Sequence, residues 1–220
     1  MQSYQYPDIC FIQFAKAAVA GMVKTRIIPA LGEQGACRLH IALTAYVFSN
    51  LTNSQLAKTI LYSDNPECPE LKAIVSNQKI KQQYGDNLGA RMANAFADQL
   101  APSQLSESTN HQAASAVILL GSDCPAITSE YLEQAITALM TTSDIVLGPA
   151  NDGGYVLVGM RSPNPEIFEG IRWGSSEVLS QTLHIIKQQQ LKYFLLPSLS
   201  DIDRPDDLPL LAPLGISLDA

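Results

Sequence analysis

The sequence predicts an α/β protein, a mainly parallel sheet flanked by helices on both faces. Three observations carry that expectation. Short apolar runs recur along the chain, the clearest being Ala116 to Leu120 (AVILL). Between several of them lie stretches of roughly 10–15 residues with helical spacing of apolar positions. The residues best suited to chemistry follow the runs directly, where the C-terminal strand ends of such a sheet meet in one crevice.

Ile9 to Phe14 reads as a buried strand, followed by a loop from Ala15 to Pro29 that holds Gly21 and three basic residues. Leu31 to Leu51 sets Leu39, Leu43, Tyr46 and Val47 at helical spacing and reads as the first helix. Thr59 to Tyr62 is a strand ended by the turn-forming Ser63-Asp64-Asn65-Pro66. A weak strand near Ile80 leads into a helix from Leu88 to Leu100, with Met92, Ala95, Phe96 and Gln99 on successive turns. Residues 101–114 are polar without periodicity and read as a connecting loop. After the AVILL strand come a helix from Ser129 to Met140, strands at Asp144 to Leu147 and Tyr155 to Met160, a helix from Glu177 to Gln189 and a strand from Tyr193 to Leu196. There is no internal repeat, so residues 1–220 are expected to form one domain.

Composition narrows the classes. The chain has 220 residues, enough to bury a full core, and 46% of them are hydrophobic, which excludes wholesale disorder. The net charge of −7 argues against sequence-independent nucleic-acid binding, which rests on neutralising many phosphates. No apolar stretch reaches the roughly 18 residues of a membrane span. The polar N-terminus lacks the basic start of a signal peptide. Cys10, Cys37, Cys68 and Cys124 form no CxxC pair, so neither a zinc site nor a disulfide framework is expected; reduced thiols in a cytoplasmic protein are.

The loop after the first strand reads Phe14-Ala15-Lys16-Ala17-Ala18-Val19-Ala20-Gly21-Met22-Val23-Lys24-Thr25-Arg26. Such a loop can turn backbone N–H groups toward an anion, and Gly21 permits close approach. Lys16, Lys24 and Arg26 add charge, with Arg26 offering a planar fork for phosphate. This is neither GxxxxGK[ST] nor GxGxxG. A phosphate clamp and a solvated basic loop both fit.

Gly121-Ser122-Asp123-Cys124-Pro125 follows the strongest strand, placing Asp123 in the crevice. One hard carboxylate there suits a Mg²⁺ ion that completes its shell with substrate phosphates and water. Asp123 equally suits a turn cap before the next helix. In Pro149-Ala150-Asn151-Asp152-Gly153-Gly154-Tyr155, two glycines permit positive φ and leave room for a ligand, while Asp152 can hold or deprotonate an acceptor hydroxyl. Asp-Gly between strands is also the commonest hairpin signal. Asp201 and Asp203 lie two apart, on one side of an extended segment, and either can complete a metal site with Asp123. Asp206 and Asp207 suit the first turn of a helix after Pro205. Arg91, at a helix start, can reach a phosphate, and Trp173 can stack on a sugar or base; an exposed arginine and a packed lid are the plain alternatives. His40, His111 and His184 have no ligand spacing and are assigned no chemistry.

Six motifs occur in order: FAKAAVAGMVKTRIIPALG, DNLGARMANAF, LLGSDCPAIT, DIVLGPANDGGYVLVGM, IRWGSSEVLSQT and DIDRPDDL. Together they resemble the bacterial glycosyltransferase-like transferases, of the arsenosugar-biosynthesis and radical-SAM/selenodomain-associated types. That family has the nucleotide-diphospho-sugar transferase (GT-A, Rossmann-like) fold. The likeness covers about residues 9–210, the expected core. It implies that Lys16, Gly21, Lys24, Thr25 and Arg26 form the phosphate-binding loop; Arg91, from its place at a helix start, is expected to bind phosphate with them. It implies Asp123 and Asp203 as ligands of Mg²⁺ or Mn²⁺, with Asp123 and Asp152 in catalytic roles. Gly153, Gly154, Tyr155 and Trp173 fall on the substrate side. Ala18 replaces a usual Pro, Met22 a common basic residue, and Gly174-Ser175 a Ser-Thr pair.

Three functions follow as expectations. The first is transfer of a glycosyl group from a nucleotide-sugar to a small acceptor. The second is nucleotidyl transfer, in which a phosphorylated acceptor attacks a nucleoside triphosphate and pyrophosphate leaves. The third is a non-catalytic nucleotide-binding domain. Charge divides to match the first two. Residues 1–91 carry nine basic and six acidic residues, whereas residues 92–160 carry seven acidic and none basic.

Overall fold

The computed structural model describes residues 3–76, 78–100 and 113–216. Residues 101–112, which include most of the polar connecting loop and His111, lie outside the described residues. Seven strands form one sheet: β1 (Ile9–Ala15), β2 (Lys58–Ser63), β3 (Lys81–Gln82), β4 (Ala116–Leu120), β5 (Ile145–Pro149), β6 (Tyr155–Met160) and β7 (Tyr193–Leu195). Their order across the sheet is β3-β2-β1-β4-β6-β5-β7. All pairings are parallel except those of β6, which runs antiparallel to both β4 and β5.

Every residue of β1, β4 and β5 is buried. That is the expected state of apolar runs covered on both sides, and it explains why they lack polar alternation. Within β1, alternate residues serve opposite layers. Ile9 and Phe11 pack with Val47 and Leu51 of α1 (Ile28–Asn53) and with Leu132, Ile136 and Leu139 of α4 (Ser129–Thr141). Cys10, Ile12 and Phe14 pack with Met92 and Phe96 of α3 (Leu88–Leu100) and share a layer with Ile186 of α5 (Val178–Gln188). Phe96 is wholly buried, and its truncation to Ala would cost about 3–5 kcal/mol.

Three details differ from the sequence-based expectation. A seven-residue helix, α2 (Pro69–Val75), follows β2; it is too short to show a helical period, and Pro69 in its first turn was its only signal. The first helix starts at Ile28, but Gly32 breaks it with φ 69° and ψ 171°, so Ile28 to Leu31 form a separate turn. The segment after Pro205 is a 3₁₀ helix, Pro205–Leu214, because Pro209 and Pro213 each remove a donor that an α-helix needs. Among the described residues no helix is long and apolar enough to cross a membrane.

The register places the site. Leu120, ending β4, pairs with Leu157, and Pro149, ending β5, pairs with Tyr155 at the start of β6. The loops after β1, β2 and β4, the β5–β6 hairpin and the chain after β7 therefore gather at one edge of the sheet.

Candidate active site

The loop after β1 is held in shape from outside. Asp64, just past β2, accepts a hydrogen bond from the Ala17 N–H at 2.7 Å, and the Ala18 N–H donates to Cys68 Sγ at 3.4 Å. The Val19 and Met22 N–H groups bond back to Ala17 and Val19 carbonyls. These four donors are spent on holding the loop rather than on an anion. His40 Nε2 donates to the Lys16 carbonyl at 2.8 Å. Burial pushes its pKa below the ordinary histidine value.

Lys16, Lys24, Thr25, Arg26 and Arg91 come together around a cleft of about 680 Å³, which lies in the range of small-molecule sites. Arg91 is steadied by donating Nε–H to the Gly85 carbonyl at 3.2 Å. His40, Gln83 and Asn87 line the same cleft. Sequence reasoning gave no weight to His40 or Gln83. A lone histidine on a helix and a glutamine after a two-residue strand carry no pattern. Met22, where the resembling family often has a basic residue, is 68% exposed at this cleft.

A second cavity of about 370 Å³ adjoins it, lined by Asp152, Gly154, Tyr155, Trp173 and Asp201 among others. Phe14, Arg26, Leu88, Gly121, Asp123 and Asp203 line both spaces and form the wall between them. Burial first, and then the charges of Asp152, Asp123 and Asp203, push the Asp201 carboxyl above the usual range. The acid therefore gathers on one side of the wall and the base on the other.

Two ion pairs are made at the wall. Lys24 is buried in a left-handed backbone conformation (φ 49°), and its Nζ lies 2.7 Å from Asp123 Oδ1. The same ammonium donates to the Ile202 carbonyl, while the Ile202 N–H donates to the Asp123 carbonyl at 2.8 Å. Lys24 thus binds the loop after β4 to the C-terminal acidic segment. Arg26 reaches Asp203 at 2.5 Å. Asp207 accepts hydrogen bonds from the N–H groups of Asp203 and Arg204, fixing the backbone that presents Asp203.

The glycine-rich turn is a β5–β6 hairpin. Gly153 has φ 91°, and a Cβ there would stand 2.1 Å from the Ser176 carbonyl oxygen. The room expected for a ligand at Gly153 is filled by the chain's own backbone. Gly21, with φ 81°, has the Glu33 carboxylate at ordinary van der Waals distance. Gly154 lines the second cavity, and neither Gly21 nor Gly153 lines either of these two spaces. Asp152 accepts from the Gly154 N–H at 2.9 Å, so it also shapes its own turn. Trp173 meets Tyr155 edge-on at 6.2 Å and packs on Phe168 at 6.5 Å, serving as both wall and packing. Burial raises the Tyr155 phenol pKa. Cys124, beside Asp123, donates to the Ser200 carbonyl, and burial pushes its thiol up to about 12, which removes it as a nucleophile.

Among the described residues, no three His, Cys, Asp or Glu side chains converge as a metal cage. Asp123 and Asp203 offer the sparser attachment that suits an ion sharing its shell with phosphates and water.

Residues 47–175 match a bacterial protein family described as "Uncharacterized protein conserved in bacteria (DUF2064)". The chain belongs to this family. No curated protein matches it. Among solved structures, this family member is similar to a protein of Desulfovibrio desulfuricans G20 called a "putative nucleotide-diphospho-sugar transferase". The two share 30% identity over 93% of this chain and 86% of the other, with a TM-score of 0.81. A cytidylyltransferase of Leptospira borgpetersenii serovar Hardjo-bovis aligns at 13% identity over 97% and 90% of the chains, with a TM-score of 0.57. A CMP:2-keto-3-deoxy-manno-octonic acid synthetase complexed with CTP aligns at 10% over 94% and 97%, with a TM-score of 0.55. The last two share the fold, which is that of the nucleotide-diphospho-sugar transferases.

Proposed function

We propose that this protein transfers a glycosyl group from a nucleotide-diphospho-sugar to a small acceptor. The observation that carries the choice is the charge on the two sides of the wall. The cleft with Lys16, Arg26 and Arg91 suits a diphosphate, and the cavity beyond holds Asp152 and Asp201 beside Trp173 and Tyr155. A phosphorylated acceptor would meet those carboxylates at close range and be repelled. A hydroxyl-bearing acceptor would be held by the carboxylates as hydrogen-bond acceptors and by the aromatic edge. The resemblance to arsenosugar-biosynthesis glycosyltransferases favours a sugar donor over a bare triphosphate in the same way.

In this reading the acceptor oxygen forms a bond to the sugar's anomeric carbon as the bond from that carbon to the β-phosphate oxygen breaks. The nucleoside diphosphate leaves, and the acceptor proton passes to Asp152. Lys16, Arg26 and Arg91 hold the diphosphate as its charge develops, a positioning and electrostatic role. Asp123 and Asp203 would hold Mg²⁺ or Mn²⁺, which supplies further neutralisation of the leaving group when bound.

The products test the reading. Purified protein with a panel of nucleotide-sugars, a panel of small hydroxyl-bearing acceptors and Mg²⁺ should release nucleoside diphosphate as the glycosylated acceptor forms. Pyrophosphate released from a nucleoside triphosphate instead would overturn it in favour of nucleotidyl transfer.

A further inference from the structure

The two ion pairs at the wall are built differently. Lys24 is enclosed, with its side chain 3% exposed, and holds two partners whose backbones also bond to each other. Arg26 is 53% exposed on its side chain and reaches one partner, Asp203, itself 31% exposed. Asp203 does not depend on Arg26 for its position, because Asp207 fixes its backbone. Exposed pairs of this kind contribute little to stability, so parting them costs little. A guanidinium that leaves a carboxylate for a diphosphate keeps a forked, charge-matched partner. The carboxylate it leaves behind is a hard oxygen ligand.

We propose that Arg26 is a latch on Asp203: it neutralises that carboxylate in the free protein, and a diphosphate in the basic cleft draws it off, releasing Asp203 for a divalent cation. Lys24 stays in place as the clamp on Asp123. Diphosphate and cation binding are then positively coupled through the exchange of one ion pair, and the coupling is reciprocal. The inference rests on the reading above for the two ligands but not on turnover.

The test uses the full chain and two probes without catalysis, Mn²⁺ alone and metal-free inorganic pyrophosphate, both measured by calorimetry. Arg26→Gln should tighten Mn²⁺ binding by about tenfold, within the usual span of such couplings. Arg91→Gln removes the same charge from the same cleft without freeing a carboxylate and should change Mn²⁺ binding by less than about twofold, the residue of a screened field. Asp203→Asn should weaken Mn²⁺ binding, and adding Arg26→Gln to it should restore nothing. Asp203→Asn should also tighten pyrophosphate binding more than Asp152→Asn does. Equal effects of Arg26→Gln and Arg91→Gln would overturn the latch, leaving only a general field. Failure of the Arg26→Gln protein to bind Mn²⁺ would overturn it as well. Loss of the transferase reading in the product assay would leave these binding results untouched, so the two failures are distinguishable.

Discussion

The two cavities share a wall and a sheet edge, yet they are made differently. The basic cleft is built from the loop after β1 and the start of α3, and that loop is braced by Asp64, Cys68 and His40. The acidic cavity is built from the β5–β6 hairpin, the C-terminal segment and the Trp173 loop, and its carboxylates face one another. The first is suited to a polyanion of fixed geometry. The second suits a small, hydroxyl-rich molecule. Charge is arranged here by the sheet's topology. Strands β1 and β4 are adjacent, so their loops carry opposite charges to the same line, where Lys24 and Asp123 meet.

The largest effect should come from the line itself. Asp123→Asn should lower turnover by about 10²–10³-fold with the fold intact, because the amide oxygen still accepts from Lys24. Steady-state kinetics beside circular dichroism would show it. Asp123→Ala also removes the oxygen that accepts from the buried Lys24 ammonium and should destabilise the protein further, by about 1–3 kcal/mol. On the acidic side, Gly153→Ala should cost about 2–4 kcal/mol in urea unfolding, since neither its φ nor the Ser176 backbone allows a side chain. A stable Gly153→Ala protein would mean that the hairpin is free to move.

Separating the two sides calls for paired variants. Trp173→Ala should raise the acceptor KM by about tenfold while leaving nucleoside diphosphate affinity unchanged, and Arg91→Gln should do the reverse. Parallel effects on both ligands would erase the division. The smallest effect concerns the brace under the basic loop. His40 is buried with its pKa below the ordinary value, so the unfolded chain takes up the proton first as pH falls. Its contribution is absent above the ordinary histidine range. Stability is lost as pH drops through that range and levels off below the folded pKa. Urea midpoints between about pH 7.5 and 5 should therefore fall less steeply in His40→Gln than in the parent chain, since that range brackets the ordinary histidine value.

The sequence made some of this legible. Leu88 to Leu100, Ala116 to Leu120 and Tyr155 to Met160 match their helix and strands end for end, because period and apolar runs are local properties. The carboxylates and cations of the wall could be listed, since strand-end loops are where such a fold keeps its chemistry. Their pairing could not. Lys24 and Asp123 are 99 residues apart, and only the β1–β4 adjacency brings them together. Gly153 shows the same limit: it does need its positive φ, but the space beside it is filled by the backbone of Ser176, 23 residues along the chain. Gln83 and His40 act through burial and backbone contacts, which leave no spacing to read.

On the proposed function, a nucleoside diphosphate lies on the basic side of the wall with a divalent cation at the wall. A crystal structure with Mn²⁺ and the nucleoside diphosphate that most raises the melting temperature tests it directly. The diphosphate is expected against Lys16, Arg26 and Arg91, with an anomalous manganese peak between Asp123 and Asp203. A nucleotide seated against Trp173 and Asp152, or a manganese peak away from both carboxylates, would contradict it.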